Sequence, residues 1–288
     1  MTAADARVGI VGGGILGMTL ALRLRQQGQR VTLIEGAPAA GGLVSPQELG
    51  GYTWDRFYHV ILLSDAALRG LLQELGLEDQ LRWKVTRTGF YTDGRLYSLS
   101  SSLDFLRFPP LNLVDKARLA LTILYASRVT DWRRLENIPV GDWLRKWSGD
   151  RTFQRVWLPL LKSKLGENYQ RTSAAFIWAY IVRLYAARRT GLKREMFGYV
   201  EGGYQTILAR FRARLEQEGV ELLCGRPVGT VTAVGDAAEV RFVGGEARSF
   251  DDVILTTPSG RVPALGPQLG GEEAARLGRV VYQGITCA

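Results

Sequence analysis

Seven residues, Val11-Gly12-Gly13-Gly14-Ile15-Leu16-Gly17, constrain the fold of this chain more than any other stretch. Before them Arg7-Val8-Gly9-Ile10-Val11 is a short apolar run that reads as a buried parallel strand. After them Ile15 to Gln27 carries Leu16, Leu20 and Leu24 at helical spacing, with Gly28 placed as a stop. Arg30 to Ile34 is a second strand, and Glu35 follows it eighteen residues past Gly17. Strand, Gly-x-Gly-x-x-Gly turn, helix, strand and acid together make a dinucleotide cradle. Gly12 permits the tight turn, Gly14 admits a pyrophosphate to the backbone, and Gly17 lets the helix pack closely. The helix N-terminus offers unpaired N–H groups and partial positive charge to phosphate. Glu35 stands where a carboxylate accepts hydrogen bonds from a ribose diol.

A second loop, Ala39-Ala40-Gly41-Gly42-Leu43, comes soon after the second strand. A nicotinamide dinucleotide has no particular need of a glycine pair there. A larger dinucleotide such as FAD does, because its pyrophosphate and ribityl chain run on past the first turn. Farther along lies Asp55-Arg56-Phe57-Tyr58-His59, which holds the single histidine of the chain. Arg56 and His59 are candidate catalytic residues beside a reactive ring, where imidazole handles a proton. The competing reading is a half-buried structural histidine with an ion-paired Arg56.

Residues 64 to 85 read as one helix, capped by Ser64-Asp65, with Leu68, Leu71, Leu72 and Leu75 inward. Asp93-Gly94 between two aromatic runs is a hairpin signal. From Leu113 to about Arg189 the pattern is helical, with segments at 113–129, 139–147, 151–164 (interrupted at Pro159) and 173–189. The chain then returns to α/β: a helix over 205–218, a strand at 220–223, a meander, and a buried strand at 251–258. That last strand is expected to continue the sheet begun at Arg7.

The net charge of +9 belongs to the middle of the chain, since residues 107–194 hold 18 Lys/Arg against 6 Asp/Glu. Five of the seven tryptophans lie there too. Basic and aromatic residues interleaved suit a solvated face, an anionic membrane surface or an anionic substrate. No nucleic-acid-binding module is present in the sequence, so nucleic acid is not expected as a partner. No apolar run approaches the roughly 20 residues of a membrane span. Cys224 and Cys287 are isolated and form no metal pattern, so no metal is expected and a reducing cytoplasm is the default.

These blocks resemble FAD-dependent oxidoreductases of the amine oxidase, protoporphyrinogen oxidase and phytoene desaturase superfamily, and most of all its bacterial protoporphyrinogen-oxidase-like members. The resemblance rests on the glycine turn with Glu35, the Gly41-Gly42 loop, residues 55–59, and Glu201-Gly202-Gly203 with its helix and Val228. It implies a Rossmann-like α/β FAD-binding domain of glutathione-reductase type with an inserted, mainly helical substrate domain. The expected divisions are 1–62 and 198–262 for FAD, 63–197 for the insertion, and 263–288 for a return toward it. The cofactor would meet Gly12, Gly14, Ile15, Leu16, Gly17, Glu35, Gly41, Gly42, Leu43 and Val228, with Arg56 to His59 bordering the isoalloxazine. The implied activity is hydride removal from a small organic substrate, anionic or apolar. The other readings are a non-redox flavin isomerase resembling UDP-galactopyranose mutase, and a non-catalytic fragment that binds an anionic surface.

Two departures from the resemblance stand out. Many relatives write the second loop Arg-x-Gly-Gly-Arg, and both arginines are absent here, which leaves phosphate charge to backbone N–H groups and the helix terminus. The chain also stops at 280–288 inside what reads as a strand, where relatives carry a further glycine-rich portion that closes over the flavin. An incomplete flavin site is the resulting expectation.

Overall fold

A computed structural model describes residues 5–57, 59–100, 102–188, 196–282 and 284. In chain order the first elements are strand β1 (Arg7–Val11), helix α1 (Ile15–Gln26), β2 (Arg30–Ile34), and the hairpin β3 (Pro46–Leu49) and β4 (Tyr52–Asp55). They are followed by β5 (Ile61–Leu62), α2 (Ala66–Glu74), β6 (Leu81–Val85), and the hairpin β7 (Gly89–Thr92) and β8 (Arg95–Ser98). Helices α3 (Ser102–Arg107), α4 (Leu113–Ala126), α5 (Val140–Ser148), α6 (Leu158–Leu165) and α7 (Ala174–Arg188) make the middle. Strand β9 (Met196–Val200), helix α8 (Gly203–Gln217) and β10 (Glu221–Leu223) come next. Strands β11 (Val228–Val234), β12 (Ala237–Phe242), β13 (Ala247–Phe250) and β14 (Asp252–Leu255) precede a last helix, α9 (Gly271–Gly278). The chain divides into two compact units.

The first unit comprises Met1–His59, Leu71–Gln80 and Val200–Ala288. Its parallel sheet has the order β10-β2-β1-β14, so the strand at the far end of the chain does join the one begun at Arg7. Both central strands are buried from their second residue on, as an apolar run covered on both faces must be. The meander β11-β12-β13 forms a sheet of its own rather than extending the first. It closes over one end through Val240, Phe242 and Phe250, which pack with Val11 and Ile34. Helix α8 buries Ile207, Leu208, Phe211 and Leu215, the face its spacing predicts. Helix α1 does not follow its leucines. It buries Gly17, Met18, Ala21 and Leu22, and Leu16 is 67% exposed. Residues 280–282, expected as strand, have none; Cys287 and the end of the chain lie outside the described residues.

The second unit comprises Val60–Gly70 and Leu81–Tyr199. The expected helix over 64–85 stops at Glu74, where Gly76 takes φ +68°, and Leu81–Val85 is a strand instead. The alternation in Leu81-Arg82-Trp83-Lys84-Val85 outweighs the helical reading of its leucines. Asp93 (φ 51°) and Gly94 (φ 73°) supply the two positive-φ positions of a type I′ hairpin turn. Before Pro159 the helix continues through a π-helical stretch, Phe153–Trp157, rather than breaking. The core holds Trp143, Leu144, Phe153, Trp157, Leu161 and Ile177, with Trp147 and Trp178 packed against it, so four of the clustered tryptophans serve packing. Trp157 Nε1 donates to Ser148 Oγ at 3.0 Å. Trp178 Nε1 donates to the carbonyls of Ala126, the last residue of α4, and of Val129 just beyond it, at 3.1 and 3.2 Å.

Asp65 does not cap α2 with its side chain. Its Oδ2 accepts from Leu62 N–H at 2.9 Å, and Arg183 grips both oxygens at 3.0 and 2.7 Å. Burial raises the Asp65 pKa, but the Arg183 guanidinium and the Leu62 N–H outweigh it and hold the carboxyl below its usual 3.8. A depressed carboxyl stabilises the fold above the unfolded pKa and loses that contribution as pH falls through the folded one. Asp65→Asn is therefore expected to cost stability at pH 7 and progressively less below about pH 4. Urea unfolding of both proteins across that range checks it; a pH-independent difference contradicts the ion pair.

Candidate dinucleotide site

The site grows from the turn after β1. Gly12 N–H donates to Ile34 O at 2.8 Å, tying the turn to the end of β2. Gly12 adopts φ +117°, and a Cβ there would come 2.6 Å from Thr256 Oγ1. Thr256 follows β14 directly and braces the turn from the other side. Its hydroxyl donates to Gly12 O at 2.8 Å, and its N–H donates to Val11 O at 2.9 Å. At Gly17 a Cβ would drive into the Gly12 carbonyl oxygen, so the first turn of α1 lies on the glycine turn itself. Gly14 differs from both: a Cβ there would meet nothing within 4 Å. The first α1 bond runs from Met18 N–H to Gly14 O at 2.9 Å. The N–H groups of Ile15 and Leu16 precede it and have no partner within the helix.

The second loop is built onto the first. Gly41 N–H donates to Gly13 O at 2.8 Å, and Gly14 and Gly41 form a parallel bridge. A Cβ on Gly42 would stand 3.1 Å from Gly14 Cα, so the glycine pair is what lets the two loops touch. Glu35 turns its carboxylate back over the turn. Its Oε2 accepts from Gly13 N–H at 2.7 Å and its Oε1 from Ala37 N–H at 2.8 Å. Each oxygen keeps a further lone pair for a ligand hydroxyl.

Between these loops lies a cavity of about 720 Å³, within the usual size of a small-molecule site. Gly12, Gly14, Ile15, Leu16, Glu35, Gly41, Gly42, Leu43 and Val228 all line it, while Gly17 lies beneath. Leu16 and Leu43, 67% and 74% exposed, give it apolar walls. Besides neighbours of the predicted positions such as Val11, Ile34 and Pro227, sequence reasoning missed a whole segment of the lining, Thr256, Thr257 and Pro258, with Arg261, Leu265 and Tyr282 beyond them. The Thr-Thr-Pro that ends the last buried strand was the available signal, because strand ends beside β1 must border the turn. Thr257 Oγ1 is buried there without a hydrogen-bond partner among the described residues. Ser259 gives Tyr282 Oη two hydrogen-bond contacts, which hold that phenol below its usual range.

Arg56 and His59 are not among the residues lining this cavity. Arg56 is exposed. His59 is half-buried, with Nδ1 2.8 Å from Phe57 O and its ring centroid 5.2 Å from that of Tyr204. A carbonyl can only accept, so this contact puts the proton on Nδ1 and leaves Nε2 as the basic nitrogen. The neighbouring Asp55 has a role that local patterning did not reveal. Its Oδ1 accepts from Tyr204 N–H at 3.0 Å, capping α8 from 149 positions away. Asp55→Ala is expected to destabilise the protein by about 1 kcal/mol, the typical loss of a helix cap. Chemical denaturation measures it, and a loss below about 0.3 kcal/mol would show that the cap is dispensable.

A parallel sheet with a glycine turn, a second glycine loop and an acid after β2 defines a dinucleotide-binding α/β protein. The chain belongs to the family of flavin-containing amine oxidoreductases, whose model matches residues 17–287. The coproporphyrinogen III oxidase of Mycobacterium tuberculosis (strain ATCC 25618 / H37Rv) is 30% identical over 220 residues, covering 69% of this chain and 48% of that protein. A zeta-carotene desaturase of Synechocystis sp. is 27% identical over 264 residues, covering 83% of this chain and 53% of that one. This chain thus spans about half the length of the curated relatives it matches. Among solved structures, wild-type putrescine oxidase bound to putrescine superposes with a TM-score of 0.71 at 19% identity, over 95% of this chain and 63% of that one. A CLA-producing fatty acid isomerase from P. acnes does so with a TM-score of 0.74 at 14% identity, over 98% and 66%. At such identities the structures share the fold. The two curated relatives named here are an oxidase and a desaturase.

Proposed function

We propose that this chain binds FAD in the cavity between its two glycine loops and acts as an FAD-dependent oxidoreductase on a small organic substrate. The observation that carries this is the open space at Gly14, where a Cβ would project into a cavity lined by both loops, Glu35 and Val228. The residues present fit the cofactor. The α1 N-terminus and the loop backbones would receive the pyrophosphate, Glu35 the adenosine ribose, and Val228 the adenine edge. Bound flavin supplies the hydride acceptor, which passes electrons on to oxygen or another acceptor. The protein is left to orient the reactants and shield them. His59 and Arg56 are assigned to proton handling and substrate orientation, with Nε2 of His59 as the base. Val60 to Tyr199, largely the helical unit, is assigned to substrate recognition.

An absorbance spectrum of the purified chain after incubation with FAD tests the reading. Flavin bands that persist through gel filtration near one equivalent support it, and a colourless protein that takes up no FAD overturns it. Turnover only with pre-reduced flavin, and no net oxidation, would shift the reading to the isomerase.

The proposed location is the cytoplasm, at the membrane face. No helix of the described residues is long and apolar enough to cross a membrane. Leu113, Val114 and Leu121 nevertheless stand 76%, 68% and 62% exposed on α4, within the segment that carries the basic excess. Apolar side chains beside cations suit an anionic lipid surface. Salt-sensitive flotation with phosphatidylglycerol vesicles supports that partner, and equal flotation with neutral vesicles argues against the electrostatic part.

A further inference from the structure

FAD brings a diphosphate, with two negative charges, and the second loop of this chain has alanine and leucine where many relatives carry arginines. The cavity nevertheless contains a cation. Among the described residues that line it, Glu35 is the one carboxylate and Arg261 the one cation. Arg261 ends the helical turn Ser259–Arg261, which follows β14 after Thr256-Thr257-Pro258. Its N–H donates to Pro258 O at 2.9 Å. The same turn is pinned at its start, where Ser259 N–H donates to Tyr282 Oη at 2.9 Å. The backbone carrying the guanidinium is therefore held from both ends.

The charge on Arg261 is also available. Arg7, Arg30, Arg226 and Arg248 of the same unit each hold a carboxylate, from Asp251, Asp5, Glu246 and Glu221 respectively. Arg261 is exposed and makes no ion pair among the described residues. Glu35 does not neutralise it, since both of its oxygens are turned to backbone N–H groups. A guanidinium presents paired N–H donors that match phosphate oxygens, and in a partly enclosed site such charge-assisted bonds are strong.

We propose that Arg261 is the residue that meets the diphosphate of the bound dinucleotide, a cation supplied after β14 instead of from the second glycine loop. The assignment rests on the FAD reading above. It predicts that recognition in this chain depends on phosphate charge through one side chain remote in sequence from the glycine turn.

Calorimetric titration of the whole chain with FAD, ADP and adenosine, for the wild type, Arg261→Ala and Arg261→Lys, tests it. Arg261→Ala is expected to weaken FAD and ADP by roughly 10- to 100-fold, the size of a lost hydrogen bond to a charged group. Adenosine, which lacks phosphate, is expected to bind the variants and the wild type alike. Arg261→Lys should recover part of the loss, and added KCl should weaken ADP binding more in the wild type than in Arg261→Ala. Unchanged ADP affinity in Arg261→Ala overturns the assignment, as does an equal loss for adenosine, which would place the side chain on the nucleoside. A wild type that binds neither FAD nor ADP overturns the FAD reading along with it. Because Arg261 is exposed, its variants are expected to keep the wild-type Tm, which separates loss of ligand from loss of fold.

Discussion

Gly17→Ala is expected to destabilise the protein by at least about 3 kcal/mol, the upper part of the range for forcing a methyl group into filled space. The usual argument for alanine points the other way, since alanine in a helix interior is favoured over glycine by about 1 kcal/mol. Packing decides the sign. The added Cβ would overlap the Gly12 carbonyl oxygen and stand 3.0 Å from Thr256 Oγ1. Neither obstacle is a flexible side-chain end. Gly12 O accepts from the Thr256 hydroxyl, and the Gly12 N–H is bonded to Ile34 O. Relief requires α1 to back away from β1, which opens the contacts of Met18, Ala21 and Leu22 at once. Urea unfolding without any ligand measures the loss; an increase in stability would mean that α1 is free to shift.

The opening βαβ unit was legible because every signal there is local: apolar runs, a glycine spacing and an acid at the end of a strand. Its helix was legible in extent but not in orientation. Leu16, Leu20 and Leu24 on one side and Met18, Ala21 and Leu22 on the other both fit a helical face, and hydropathy cannot say that Leu16 faces a ligand cavity. Strand β6 follows the leucine helix closely, but Leu81 and Val85 fall off the face of Leu68, Leu71, Leu72 and Leu75, and that break in phase was the signal for a new element. What closes the site was the least legible part. Thr256 reaches Gly12 across 244 positions and Asp55 reaches Tyr204 across 149. Contacts of that kind follow from topology, and no window of sequence contains them. The missing loop arginines were plain to read, but the cation that lines the cavity sits where only the β1–β14 pairing brings it.

Gly14→Val is expected to cost at least about 100-fold in FAD affinity, or about 2.7 kcal/mol, while leaving the apoprotein folded. It is the counterpart of Gly17→Ala, three residues away and opposite in its effects. Gly14 has φ −72° and ψ 175°, an extended conformation open to any residue, and it precedes α1 as the N-cap. Valine there costs stability only through the lost cap preference, no more than about 1 kcal/mol. Its side chain would enter the open space over the turn, where a Cβ meets no protein atom within 4 Å. That space is where a pyrophosphate must come to reach the N–H groups of Ile15 and Leu16, since a helix terminus acts on an anion only within its first turn. A branched side chain keeps the phosphates out of that range, and the affinity lost is the contact itself. Titration with FAD, alongside thermal unfolding of the apoprotein, separates the two effects. Wild-type FAD affinity in Gly14→Val would mean that the dinucleotide does not cross this turn, and the cavity would then need another ligand.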